Sequence, residues 1–190
     1  YIDTGNAWAW CTHYIVSKNN QGNYRISMSY GTMAWAIGAA IGGAFGQKQS
    51  LIDNDRLSPI PHICITGDGS YLMSGQEITV AAEHQLPVVF IILNDAALGM
   101  IKHGQKLAGA ESIGWQLNQV NYAEIANSMG VDGIEITDPK QLVDLDLNQI
   151  LNKRGPTLLD IRIDPEEVPP MASRVETLAG ESNLEAAGYR

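Results

Sequence analysis

Residues 62–70 read HICITGDGS and residues 88–95 read VVFIILND, and these two stretches decide the fold. Each is a run of apolar, β-branched side chains that stops at acidic residues: His62–Thr66 runs into Gly67-Asp68-Gly69-Ser70, and Val88–Leu93 into Asn94-Asp95. Continuous apolar character over so short a span, without polar alternation, is the pattern of a strand covered on both faces. Glu77–Gln85 between them has helical spacing, which makes the pair a strand–helix–strand unit with a right-handed crossover and parallel strands.

The alternation continues outward. Downstream, a short helix is predicted over Ala97–His103, a helix over Asn121–Met129, a strand over Val131–Ile136, a helix over Pro139–Leu151 and a strand over Thr157–Ile163. Upstream, Trp8, Cys11 and Ile15 recur at helical spacing within Asn6–Lys18, with Asn6 as the expected cap. A polar turn follows at Asn19, Asn20, Gly22 and Asn23, then an extended Tyr24–Ser27. Ala34–Phe45, capped by Thr32 and carrying Gly38, Gly42 and Gly43, reads as a helix packed very closely on its neighbours, and Gln47–Pro61 as a loop. The expected fold class is α/β, a parallel sheet with helices on both faces. Residues 1–164 form the domain, and residues 165–190 a Pro- and Glu-rich tail on the surface or against a partner.

Composition is that of an ordinary globular chain, 45% hydrophobic and 17% charged. A formal net charge of −9 argues against a nucleic-acid surface. No apolar run reaches the ~20 residues of a membrane helix. Cys11 and Cys64 stand far apart without metal spacing and read as buried free thiols, in keeping with a cytoplasmic setting. The chain opens at Tyr1 directly into structure, as a fragment of a longer polypeptide would.

In parallel α/β sheets, ligands bind beyond the carboxyl ends of the strands. If the two strands are neighbours, Asp68 and Asp95 share that rim, and two carboxylates so close repel unless a cation lies between them. Magnesium takes one or two carboxylates and completes its shell with water and phosphate oxygens. Gly67 and Gly69 allow close backbone approach, and Gly69-Ser70 opens a helix whose N–H groups suit an anion. The plainer alternative is a turn at Asp68-Gly69 and a helix cap at Asp95.

Gly67-Asp68-Gly69-Ser70-Tyr71-Leu72-Met73, Gln76-Glu77, Leu86-Pro87-Val88, Leu93-Asn94-Asp95 and Leu98-Gly99-Met100 together resemble the thiamine-diphosphate motif, most closely that of acetolactate-synthase-like enzymes. Asp68 and Asp95 stand 27 positions apart, as the two side-chain metal ligands of that family do. Asp3–Trp10 is similar to the segment opening the family's C-terminal, diphosphate-binding domain, Tyr30–Met33 to its Gly-Thr-Met stretch, and Val168–Met171 to its ending. The resemblance implies magnesium on the side chains of Asp68 and Asp95 and the carbonyl of Ala97. It places the diphosphate against Gly67, Gly69, Ser70, Leu98, Gly99 and Met100, with Thr4, Gly5, Asn6 and Ala7 from the first loop. Gly31 and Met33 would lie under the cofactor, Met33 as the wedge that bends it; core filling is the alternative for that methionine.

The family commonly has asparagine at the position of Asp95 and Gln-His at Asn6-Ala7. Gly104 stands where acetohydroxyacid synthases carry a tryptophan that shapes substrate choice. The resemblance further implies that the activating glutamate lies outside this chain, in an N-terminal pyrimidine-binding domain reached across a dimer interface, so no catalytic residue is expected here. The parent would be a decarboxylase or carboligase, a lyase or transferase acting on a small 2-oxo acid as a homodimer or homotetramer, and the isolated chain would be inactive. The competing reading is a non-catalytic phosphate-binding or assembly module. A G-x-G-x-x-G nucleotide site is missing. Lys102-His103 follows the metal loop either facing substrate or as an exposed helix end, and His62 and His84 form no cluster with them.

Overall fold

In the computed structural model the described residues are 1–16, 24–27, 29–53 and 60–170, with the side chains of 51–53 left aside. Strands β1 (His62–Gly67), β2 (Val88–Asn94), β3 (Asp132–Ile136) and β4 (Thr157–Arg162) form one sheet in the order β1-β2-β4-β3. Every pairing is parallel, with Gly67 opposite Leu93 and Asn94 opposite Arg162. The two sequence-defined strands are therefore neighbours and end at the same level.

The N-terminal stretch extends this sheet beyond β1. Ile2 forms a parallel bridge with Ile65 on one side and Ile26 on the other. The Ile65 amide donates to Tyr1 O and the Asp3 amide to Ile65 O, each at 2.8 Å. The chain thus enters beside β1, runs through helix α1 (Asn6–Tyr14), returns outside its own start at Ile26, and crosses by α2 (Trp35–Asp53) to the other side at β1. That reversal of winding is a topological switch. It lies between residue 2 and β1, where crevices open in such sheets.

Both faces are packed. Cys64, Val88, Phe90, Ile92 and Leu158 meet Ala36, Ile37, Ala40, Ile41 and Ala44 of α2, Ile78 and Ala81 of α4 (Ile78–Glu83), and Tyr122 and Ala126 of α6 (Tyr122–Ser128). Val89, Leu159 and Ile136 on the other face pack with Leu145, Ile150 and Leu151. The small residues of α2 do permit close approach: a Cβ on Gly43 would run into the ring of Tyr1.

Several boundaries differ from expectation. Asn6 does not cap α1; Gly5 does, at φ +92°, a conformation that favours glycine. Helix α2 begins at Trp35, so Thr32 precedes its cap, and it runs through Asp53 where a loop was expected. The polar turn at 19–23 and most of the rest of that loop lie outside the described residues. A helix α3 (Asp68–Ser74) and a 3-10 turn (Gly75–Glu77) precede α4. Helix α5 spans Gly99–Ala108, later and longer than expected. Pro139–Leu151 is two helices, α7 (Pro139–Asp144) and α8 (Leu147–Asn152), each started by its own aspartate cap, Asp138 and Asp146. The second cap interrupts the first helix, because a side chain that bonds the next helix's amide holds the backbone out of helical geometry. Among the described residues no helix is long and apolar enough to cross a membrane.

Candidate functional site

One cleft of about 520 Å³, counting its open mouth, lies at the carboxyl ends of β1 and β2 beside the N-terminal stretch. Thr4, Gly5, Asn6, Ala7, Met33, Gly67, Asp68, Gly69, Ser70, Asp95, Ala97, Leu98, Gly99 and Met100 line it. Gly31 does not; it sits two residues before Met33 at φ +70°, turning the chain and not facing the cleft. Trp10, Leu93, Ile101 and Ile163 line it as well and were missed. Trp10 follows Asn6 by one helical turn and was readable; Ile163 arrives from β4, which only the strand order brings alongside β2.

Each segment is carried there by pairing. Parallel alignment of Ile2 with Ile65 places Thr4 at the height of Gly67. Asp3, fully buried, locks that register: it accepts from Thr66 Oγ1 at 2.9 Å and from the Thr4 amide at 3.0 Å. Sequence reasoning gave Asp3 no role of its own, although an acidic residue directly after the apolar Ile2 was its signal. After β2 the chain turns at Ala96, φ +52°, and is stitched to the following loop by Leu98 N to Trp115 O and Leu117 N to Ala96 O. Among the described residues only Ala34, Gln85 and Ala96 are non-glycines at positive φ. Two of them adjoin Met33 and Asp95, so backbone strain is concentrated where the cleft is shaped.

The two carboxylates behave as a pair. Asp68 is buried, takes the Gly69 amide on Oδ1 at 2.7 Å, and leaves Oδ2 buried without a partner. Asp95 accepts the Ala97 amide on Oδ1 at 3.2 Å. A Cβ on Gly99 would collide with the Asn6 amide and come within 2.6 Å of Asp95 Oδ2, so α5 starts with its backbone pressed onto both side chains. Burial, and then the charge of Asp95, push Asp68 up to about 7; burial also raises Asp95. In the bare protein the pair therefore holds a proton near neutrality, and a divalent cation is the species that would replace it.

The surroundings favour an anion too. Helices α1, α3 and α5 all begin at the cleft, and none has a side-chain cap. Away from it, α6, α7 and α8 are capped by Asn121, Asp138 and Asp146, while α4, which continues from the 3-10 turn, has no side-chain cap. Three helix starts converging on one place favour an anion there, although the Gly69 amide of α3 is already taken by Asp68. On the side of β1, Gly67 faces open space, whereas a Cβ on Gly69 would meet Leu98 Cδ2 at 2.5 Å and Met33 Cε at 3.4 Å. Met33, Leu98 and Gly69 thus form one packed wall.

Lys102 and His103, on α5, are buried and not an exposed helix end. Lys102 Nζ donates to Pro165 O at 2.9 Å and pairs with Glu166, and it lies 4.9 Å above the Trp115 ring. The tail's first residues therefore strap α5; residues 171–190 lie outside the described chain. Cys11 and Cys64 are free and buried.

Residues 3–161 match the family described as thiamine pyrophosphate enzyme, C-terminal TPP binding domain. The chain is 31% identical over 184 residues to the acetolactate synthase isozyme 1 large subunit of Escherichia coli, covering 92% of this chain and 30% of that protein. It is 30% identical over 190 residues to the acetolactate synthase large subunit of Cyanidium caldarium, covering 98% of this chain and 29% of that protein. Among solved structures, the 4-hydroxybenzoylformate decarboxylase of Rhodococcus jostii aligns with a TM-score of 0.63 at 26% identity, over 76% of this chain and 25% of that one. The benzoylformate decarboxylase of Polynucleobacter necessarius aligns at 0.65 and 21% identity, over 76% of this chain and 26% of that one, a likeness of fold. The chain thus spans about 30% of the length of such relatives.

Proposed function

The chain belongs to the C-terminal TPP-binding domains of thiamine pyrophosphate enzymes, and on that premise we propose that it binds thiamine diphosphate through magnesium as part of an acetolactate-synthase-like enzyme of 2-oxo acids. The observation that carries the metal is the Asp68–Asp95 pair at the ends of adjacent strands, with one carboxylate oxygen buried and unpartnered. A group in that state costs about 1–3 kcal/mol or more unless something binds it.

The donor set fits magnesium. Among the described residues there is no cluster of three or more His, Cys, Asp or Glu side chains that would cage a metal. Two carboxylates and the Ala97 carbonyl would leave the remaining positions to water and diphosphate oxygens, which is how magnesium is usually held. The uncapped starts of α1, α3 and α5 would take the rest of the diphosphate charge. Met33 would set the cofactor's bend, and its apolar wall with Leu98 would keep water from the reacting end. When bound, thiamine diphosphate supplies the nucleophilic carbon that adds to a 2-oxo acid; the chain supplies position and electrostatics.

The activating carboxylate is proposed to come from a pyrimidine-binding domain across a dimer interface, in a homodimer or homotetramer. Two features support an outside partner for the site. Helix α3, which carries Asp68, turns Leu72 and Met73 outward, half exposed, and the cleft is open at its mouth. Calorimetric titration tests the core of the reading. Thiamine diphosphate is expected to bind with Mg²⁺ present and to lose its affinity in EDTA. At a hundredfold excess over Kd the complex should gain about 2.7 kcal/mol of stability. Equal binding with and without a divalent cation would refute it.

A further inference from the structure

The cleft residue Asn6 is tied to a histidine outside the cleft. Asn6 Nδ2 lies 3.3 Å from His103 Nδ1, and His103 Nε2 lies 3.2 Å from Pro165 O. A carbonyl oxygen only accepts, so Nε2 carries the hydrogen. In a neutral imidazole Nδ1 is then an acceptor, and Asn6 must donate its NH₂ to it. The amide nitrogen is thereby held on His103 and α5, and its second N–H and Oδ1 are the polar groups left on this side chain, which lines the cleft.

The anchor of this chain of bonds is firm. Pro165 O accepts from both Lys102 Nζ and His103 Nε2, using both lone pairs, and Lys102 is itself held by Glu166. The His103 side chain is buried, with little freedom to rotate away.

We propose that His103 is a positioning residue for the cofactor site, holding the Asn6 amide so that it hydrogen-bonds the bound ligand. The inference rests on the thiamine diphosphate reading. Two partners would be within the chemistry of that amide: water on the metal, which can donate to Oδ1, and a diphosphate oxygen, which can accept the second N–H.

Glutamine offers the same donor and acceptor pair as this tautomer, so His103→Gln should preserve the arrangement and His103→Leu should abolish it. In the full-length protein, His103→Leu and Asn6→Ala are each expected to weaken ligand binding about tenfold, the range of one hydrogen bond to a positioned group. The double variant should be no worse than either single one, since both remove one interaction. His103→Gln should stay within about threefold of the original. A loss seen in titration with Mg²⁺ alone identifies the metal's water as the partner; a loss seen only with thiamine diphosphate at saturating Mg²⁺ identifies the diphosphate. No loss in either, additive losses, or a glutamine variant as weak as the leucine one would overturn the proposal. Nitrogen-15 spectra of the His103 ring are an independent readout if His103→Leu fails to fold: an Nδ1–H tautomer or an imidazolium at neutral pH would overturn it. Absence of any thiamine diphosphate binding by the unaltered protein would instead refute the functional reading, with the ring spectrum still open to measurement.

Discussion

Replacing Asp68 by asparagine should make the metal-free protein more stable at neutral pH, not less. The side chain is 1% exposed, its Oδ2 has no partner, and Asp95 stands beside it. A carboxyl raised from 3.8 to about 7 by burial and then by its neighbour's charge is protonated in the folded state where the unfolded chain has lost the proton. Stability from this group is therefore fully present below the unfolded value and is lost as pH rises toward about 7. At about 1.4 kcal/mol per pH unit the full interval amounts to roughly 4 kcal/mol, an upper figure because Asp95 shares the proton. Asparagine keeps the oxygen that accepts the Gly69 amide and carries no charge, so residue 68 itself contributes no slope in the variant. The assay is urea unfolding in EDTA at intervals from pH 4 to 8, for both proteins. The difference between the curves isolates the Asp68–Asp95 pair from other raised groups such as Asp3. Magnesium should invert the result, raising the original protein at pH 7 and leaving the variant unmoved. Parallel curves in EDTA would refute the claim that the pair is electrostatically strained.

Three other outcomes are expected. Gly69→Ala drives a methyl into Leu98 Cδ2 and against Met33; it should destabilise by about 1–3 kcal/mol and weaken thiamine diphosphate binding, read by thermal unfolding and titration. Gly133→Ala, on β3 against the backbone of Ala123 far from the cleft, should cost more than about 3 kcal/mol, because backbone has little room to yield, while the remaining folded protein keeps its ligand affinity. Met33→Ala should lower cofactor affinity with less than about 1.5 kcal/mol of stability lost, since Met33 is only half-buried; a core methionine would cost about 2–5 kcal/mol.

The strands that end at Asp68 and Asp95 were legible because their signal is local: a few apolar residues, then an acid, flanked by glycine at Asp68 and preceded by Asn94 at Asp95. The helix opening at Gly69-Ser70 was legible for the same reason, and it starts one residue earlier, at Asp68. Helix ends were less so. Asn6 has the chemistry of a cap, but its amide is engaged by His103, and Gly5 makes the turn through its backbone freedom alone. The Ala-rich helix outran its sequence pattern because Gln47–Asp53 carries no glycine or proline to break it.

By itself the sequence determined the chemistry available: two acids, a glycine-lined turn, a methionine and an alternating α/β order. Only the tertiary structure decided which of these meet. The parallel register of residues 1–3 against β1 brings Thr4–Ala7 to the rim, and the strap at Pro165 and Glu166 buries Lys102 and His103 from more than sixty residues away. Composition and spacing describe contacts within one element and its next turn. A contact that depends on sheet order or on a returning tail leaves no periodic trace, because no nearby residue is needed to make it.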